Sequence, residues 1–482
     1  MRFVGAAWLV AIAATSAADG ARAIDEALHT EGATLCADHV FLRRAHLDVI
    51  GMLPAAGEAR AFLADTDPHK RTLLVDRLLR RPERADYWAM KWSERLRVKS
   101  EFPINLWPNA VQAYHRWIRT AMAEDLPYDR LARALLTSSG SNFRDPPVNF
   151  YRALPSREPL AIAQAVALTF MGARAERWPP EQRAGLAAFF QQVGYKPTAE
   201  WKEEMVFFDA RKEPAAVPPV FPDGTPARVA PGQDPREVFA DWLLRADNPW
   251  FARAAANRVW SWLVGRGLVH EADDMRPDNP PSHPEALARL ASELAGSGYD
   301  LRHLYRVVLG TRAYQQAAVP ARPLEAEVLV DALCRITGTR EEYMSRIPEP
   351  FTYAPAGQEA VALADGSITS PFLETFGRPA RDTGRESERT ARATAAQRVH
   401  LLNSSHVQNK IAQGPGLQLL LGSRGPLAPV IDELYLTILS RFPTADERAA
   451  VQAYVAAATL RREAMADVAW ALINSAEFVH WH

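Results

Sequence analysis

The stretch from Asp247 to His283, DNPWFARAAANRVWSWLVGRGLVHEADDMRPDNPPSH, fixes how this chain is read. Asn248-Pro249 is a helix start, because Asn caps exposed N–H groups and Pro is pre-set for the first turn. Apolar residues then recur through Trp260 and Trp262 until Gly265 and Gly267 end the helix. A polar loop with two adjacent carboxylates follows, and a proline-framed second start closes the segment. Ser282-His283-Pro284-Glu285 has the form of a capping box, in which Ser282 and Glu285 would each satisfy a backbone N–H at about 1 kcal/mol.

Working outward, the same punctuation repeats. Val40 to Ile50 is an apolar-periodic run closed by Gly51 and Pro54, and Asp67-Pro68 reads as the start of the next helix. Trp88, Trp92 and Leu96 share one helical face, a pattern of core packing. Further helices are expected over Pro108 to Ala123, Tyr128 to Leu136, Pro159 to Phe170 and Pro180 to Val193, with Gly194 closing the last. Strand signal is thin, and Met205 to Phe208 is its best instance. Beyond Pro235, helices are expected over Leu301 to Gly310 with Asp300 as cap, Glu325 to Ile336, Arg392 to Gln413, Val430 to Ser440, Ala445 to Thr459 and Arg462 to Phe478.

The fold class is therefore predominantly α with little β, as two helical lobes. The proline-rich run within residues 213–235 disfavours both helix interiors and ladders, so it reads as an extended connector. The expected division is a signal peptide over 1–23, an N-terminal helical domain over 24–212, the connector over 213–235 and a C-terminal helical domain over 236–482.

With 482 residues, 48% hydrophobic and 23% charged, the chain can bury sizeable cores. Its 56 basic against 57 acidic residues leave a formal charge of -1, which argues against nucleic acid as a partner. At the N-terminus, Arg2, the apolar run Phe3 to Ala14 and Ala21-Arg22-Ala23 have the order of an export signal, with Thr15-Ser16-Ala17 as the second cleavage choice. The run falls short of the about 20 residues of a membrane span. No transmembrane segment is expected after cleavage, and the protein is expected in the periplasm or at the cell surface. Cys36 and Cys334 could pair in an oxidising compartment, or stay as two separate buried thiols.

Two parts of the chain resemble paired planctomycete-type families of unknown function, the cytochrome-C-associated domain and the planctomycete surface domain. The first resemblance rests on FLRRAHLDVIGMLP (Phe41 to Pro54) and AFLADTDPHKRTLLVDRLLRRP (Ala61 to Pro82). The second rests on the opening stretch above, FGRPARDTGRESER (Phe376 to Arg389), LLNSSHV (Leu401 to Val407) and ALINSAEFVHWH at the C-terminus. The resemblance implies an exported, mostly helical protein of bacteria that break down complex polymers, and it implies no mechanism. Members of the first family carry a Cys-x-x-Cys-His element after the place that is Phe170-Met171-Gly172 here. Members of the second carry Cys-x-Cys where this chain has Arg385 and Ser387. This chain reads ARAERWPP after Gly172, so both thiol clusters are absent. Their joint loss implies that they form one centre in relatives; two independent losses of structural clips are the alternative. Covalent haem through Cys-x-x-Cys-His is excluded, and no cofactor is expected.

What remains for chemistry is His270, Asp273, Asp274 and His283, two carboxylates and two imidazoles able in principle to bind a divalent metal or act as acid and base. Equally, Asp273 and Asp274 could tie down their loop by pairing with Arg258 or Arg276. Arg43, Arg44 and Asp48 on one helix, with Asn257, Arg258, Arg276, Ser282 and Glu285 on the opening stretch, are expected to form a structural network. Ser404-Ser405-His406 lacks the elbow of a hydrolase nucleophile, and His480 and His482 read as solvated or packing. The expected role is a binding or assembly component at the cell envelope, with an envelope protein or polysaccharide as partner. The rival is a periplasmic hydrolase of polysaccharide or sulfated glycan built on Asp273, Asp274 and His283.

Overall fold

The computed structural model describes residues 17–390 and 392–481; the apolar run Phe3 to Ala14 and the terminal His482 lie outside them. Helices dominate and strands are few. The described β structure comprises a three-stranded antiparallel sheet and a two-stranded ribbon. In the sheet, Glu204–Phe208 lies between Gly140–Ser141 and Val193–Pro197, with Tyr195 opposite Val206. The ribbon pairs Arg322–Pro323 with His480–Trp481.

Most sequence-read helices stand where their punctuation puts them. The Asp38–Ile50 helix ends on Gly51, which takes the left-handed conformation (φ 65°) that a side chain disfavours. The Pro159–Met171 and Phe251–Val264 helices end the same way on Gly172 and Gly265. Asp300 caps Leu301–Gly310 by accepting from the N–H groups of Arg302 and His303.

Four local expectations are corrected. Asp67 does not open a helix at Pro68; its carboxylate accepts from the His69 N–H, and the helix runs Lys70–Leu78. The helix begun at Pro180 stops at Ala187, because Val193 and Gly194 are used in the sheet. The long C-terminal run divides at Ser404 into Ala395–Asn403 and Ser405–Gln413, with Ser404 capping the second by accepting from Val407 N–H. The capping box at Ser282 is not made: His283 holds the cap position, Ser282 Oγ donates to the Leu268 carbonyl, and Glu285 pairs with Arg289.

The Glu83–Arg95 helix runs through the centre. Trp88 stacks on Tyr305 at 4.0 Å, and Trp88 and Trp92 meet the Trp262 ring at 5.7 and 5.4 Å. One apolar cluster thus includes side chains from both halves of the sequence. Buried polar ties reinforce it. Arg43 donates to the carbonyls of Ile438 and Phe478, and Arg44 to those of Tyr314 and Gln316. Arg44 and Asp48, four residues apart, turn to different partners. Cys36 and Cys334 are free thiols. Among the described residues, no helix is long and apolar enough to cross a membrane.

Candidate functional site

The loop after the Phe251–Val264 helix is held by its own sequence. Asn257, fully buried, donates to the Val269 carbonyl and accepts from the Val269 N–H, so one amide side chain replaces a strand partner. This brings the backbone so close that a Cβ on Gly267 would lie 2.3 Å from the Val269 carbonyl oxygen. Asn279 donates to the carbonyls of His270 and Asp274, and Met275 N–H to that of Gly172. Arg258 turns away from the loop and donates to the Leu168 and Thr169 carbonyls, the orphan end of the Pro159–Met171 helix.

Within this frame the acidic pair divides. Asp273, 2% exposed, accepts from Arg174 Nη2 at 3.1 Å and from the Glu386 N–H at 2.9 Å, one bond on each oxygen. Burial opposes its ionisation, but the Glu386 N–H, Arg174 and Arg95 outweigh burial and hold the carboxyl below its ordinary range. Asp274 pairs with Arg177 at 2.7 Å and lies 3.4 Å from Arg276 Nε. Among the described residues the His283 ring meets Ser282 Oγ, and His270 lies on a different wall from Asp274. No group of three His, Cys, Asp or Glu side chains among the described residues is placed to hold a metal ion. A general base needs an oxygen open to the proton it takes, and Asp273 at 2% exposure has no open face.

The loop is a partition. On one side lies an open groove of about 680 Å³, lined by Arg177, Trp178, Trp250, Arg253, Asp274 and Arg276. Arg253 is exposed and makes no ion pair among the described residues, and Trp250 is backed by Trp242 at 5.6 Å. On the other side lies a cavity of about 230 Å³, whose walls include Asp48, Lys91, Trp262, His270, Arg322 and Trp481. Asp48 accepts from Tyr314 Oη and Trp481 Nε1, each at 2.7 Å, and from Arg322 Nη2 at 2.9 Å. Burial still pushes its carboxyl up to about 6. Arg389 joins Glu94 and Glu327 behind the cavity, and against the effect of burial Arg389 holds Glu327 down at about 2.

The segment after Gly172 and the segment around Arg385 meet at this partition. Arg385 pairs with Glu176 at 2.5 Å, and Asp273 links Arg174 to the Glu386 backbone. These are the two places where thiol clusters are missing, and here ion pairs bind them together. Sequence reading singled out Asp48, His270, Asp273, Asp274 and Arg276, which the structure distributes around the partition. It passed over Arg174 and Arg177, although both stand in the ARAERWPP run. It also passed over Lys91, Arg253 and Trp481, whose only sequence signal is a lone charge or ring.

Comparison with known families gives two matches. Residues 22–191 match PSCyt2, protein of unknown function (DUF1549), and residues 235–455 match PSD1, protein of unknown function (DUF1553). No curated protein and no solved structure matches the chain.

Proposed function

We propose that this chain, a member of the PSCyt2 and PSD1 families carried in that order, is an exported binding component that holds an anionic saccharide in the arginine-lined groove. One observation carries the reading: Arg253 shares a groove with the indoles of Trp178 and Trp250, beside Arg177 and Arg276, which pair with Asp274 and Asp278 on the same wall. A guanidinium fork matches a carboxylate or sulfate in two parallel hydrogen bonds, and an aromatic face covers the C–H face of a sugar ring. With an overall charge of -1, attraction for an anion has to come from such a local cluster. The implied link to complex-polymer use fits the same ligand, and the envelope is where such a polymer is met. The hydrolase alternative needs Asp273 to reach a substrate, and the burial of that carboxylate at 2% exposure speaks against it.

Affinity electrophoresis through gels holding dextran sulfate, polygalacturonate or neutral dextran tests this. Retardation is expected in the two anionic gels and not in neutral dextran. Arg253→Ala is expected to weaken retention roughly tenfold, the loss of one charge-assisted contact. Trp178→Ala is expected to weaken it at unchanged charge. Equal mobility in all three gels, or retention indifferent to both substitutions, overturns the reading.

A further inference from the structure

The cavity on the far side of the partition differs in chemistry from the groove. Every carboxylate on its wall already has a cationic partner. Lys91 pairs with Glu325, Arg322 with Asp48, Arg95 with Glu386, and Arg174 with Glu271. A ligand carrying a net charge would find each of these charges already engaged. What the walls leave unused are neutral hydrogen-bonding positions. The Lys91 ammonium, 3% exposed, has three N–H groups, and Glu325 is the only acceptor it meets among the hydrogen bonds of the described residues. Arg322 Nε is buried without a partner among the described residues. Ser261, Ser387 and Thr390 also line the space.

The remaining wall is aromatic. Trp262 and Trp481 line it together with Tyr87 and Phe376. Trp481 is fixed by its Nε1 bond to Asp48 and by the Arg322 guanidinium 4.4 Å from its ring centroid. At about 230 Å³ the space is smaller than the about 300–1,000 Å³ of drug-sized sites. It has room for a single ring of atoms, or for some seven waters at about 30 Å³ each.

We infer that this cavity is a second binding site, independent of the groove, for a neutral polyol of one pyranose ring. Spare donors at Lys91, Arg322 and the three hydroxyls would serve its oxygens, and the indoles would cover its C–H faces. Sugar hydroxyls both donate and accept, so they can also bond to the paired carboxylates without taking them from their cations.

The test is calorimetric titration of the full chain with glucose, galactose and xylose, and separately with acetate, inorganic sulfate and glycine betaine. Ser261→Leu fills the cavity from an uncharged wall position on a helix, where Leu is well tolerated. At least one neutral sugar is expected to give saturable heat and to raise the unfolding temperature. Both signals are expected to vanish in Ser261→Leu and to survive in Arg253→Ala, which alters only the groove. Heat from the charged probes alone, no heat from any neutral sugar, or heat that persists in Ser261→Leu overturns the inference. Loss of polymer retention in Arg253→Ala with sugar heat unchanged separates the two sites.

Discussion

Arg385 Nη2 lies 2.5 Å from Glu176 Oε1, a contact that spans 209 positions of sequence and closes the two thiol-less segments onto each other. Next to it, Asp273 receives Arg174 and the Glu386 N–H. Segments remote in sequence are thus neighbours here. In this chain the place is held by charge pairs, one half-exposed and one buried.

Those two pairs differ in solvent access, so their removal has unequal cost. Asp273→Asn is expected to lower stability by about 1–3 kcal/mol, because Arg174 and the buried Glu386 N–H lose a charged acceptor while Glu271 still pairs with Arg174. Arg385→Ala is expected to cost less than about 1 kcal/mol, because side chains 43% and 38% exposed are screened by water. Urea denaturation of the two variants gives both values, and equal losses would contradict the assignment.

The pH dependence has two opposed contributions. Burial, aided by Arg381 and Arg119, drives the His115 imidazole down to about 3 from an ordinary 6.5. The folded state therefore binds fewer protons than the unfolded one between those values, and stability falls as pH drops below 6.5. Asp48 works the other way. Its carboxyl is raised to about 6 from 3.8, so its contribution declines as pH rises from 3.8 to 6 and is constant above. Thermal unfolding from pH 4 to 8 is expected to show a shallower acid loss in His115→Leu, and a steeper one in Asp48→Asn, than in the unaltered chain.

Two helix ends make a matched pair. Gly172 has φ 59°, and a Cβ there would sit 3.3 Å from the Ala254 Cβ, so Gly172→Ala is expected to cost about 1–2 kcal/mol. Ser440 adopts φ 62° at the end of the Leu427–Leu439 helix with its hydroxyl buried and unpartnered. Ser440→Gly is expected to raise stability by about 1 kcal/mol. Denaturation midpoints that move in the same direction would refute this.

The helical stretch over 17–28 bears on the cleavage choice. Ala17, Ala21 and Ile24 are buried, and Asp25 accepts from the Arg312 and Ala313 N–H groups. Cutting after Ala23 would remove most of a packed helix, whereas cutting after Ala17 would leave it. A chain starting at Ala18 is expected to unfold at a higher temperature than one starting at Ile24. If the N-terminal run is an export signal, sequencing of the processed chain is expected to begin at Ala18.

Where a local rule had no tertiary competitor, the sequence was legible. Gly51, Gly172 and Gly265 end helices because only the backbone conformation at one residue matters there. Ser282 looked like a cap and is not one, because a carbonyl 14 residues away, that of Leu268, takes its hydroxyl. Val193 and Gly194 looked like a helix end until the Phe207 and Phe208 backbone offered a ladder. The site was legible only as the polar loop. The cavity is assembled from pieces near positions 48, 91, 262, 322, 386 and 481, and no window of sequence contains a pattern that links them.

Arg43 finds its acceptor at Phe478 only after 435 further residues, and Asp48 finds Trp481 after 433. A ribosome that has finished the PSCyt2 stretch has therefore made a half-molecule whose central guanidinium and carboxylate still lack their mates. The family boundary between 191 and 235 marks ancestry, not autonomy: expressed alone, residues 22–191 would be left with an open seam.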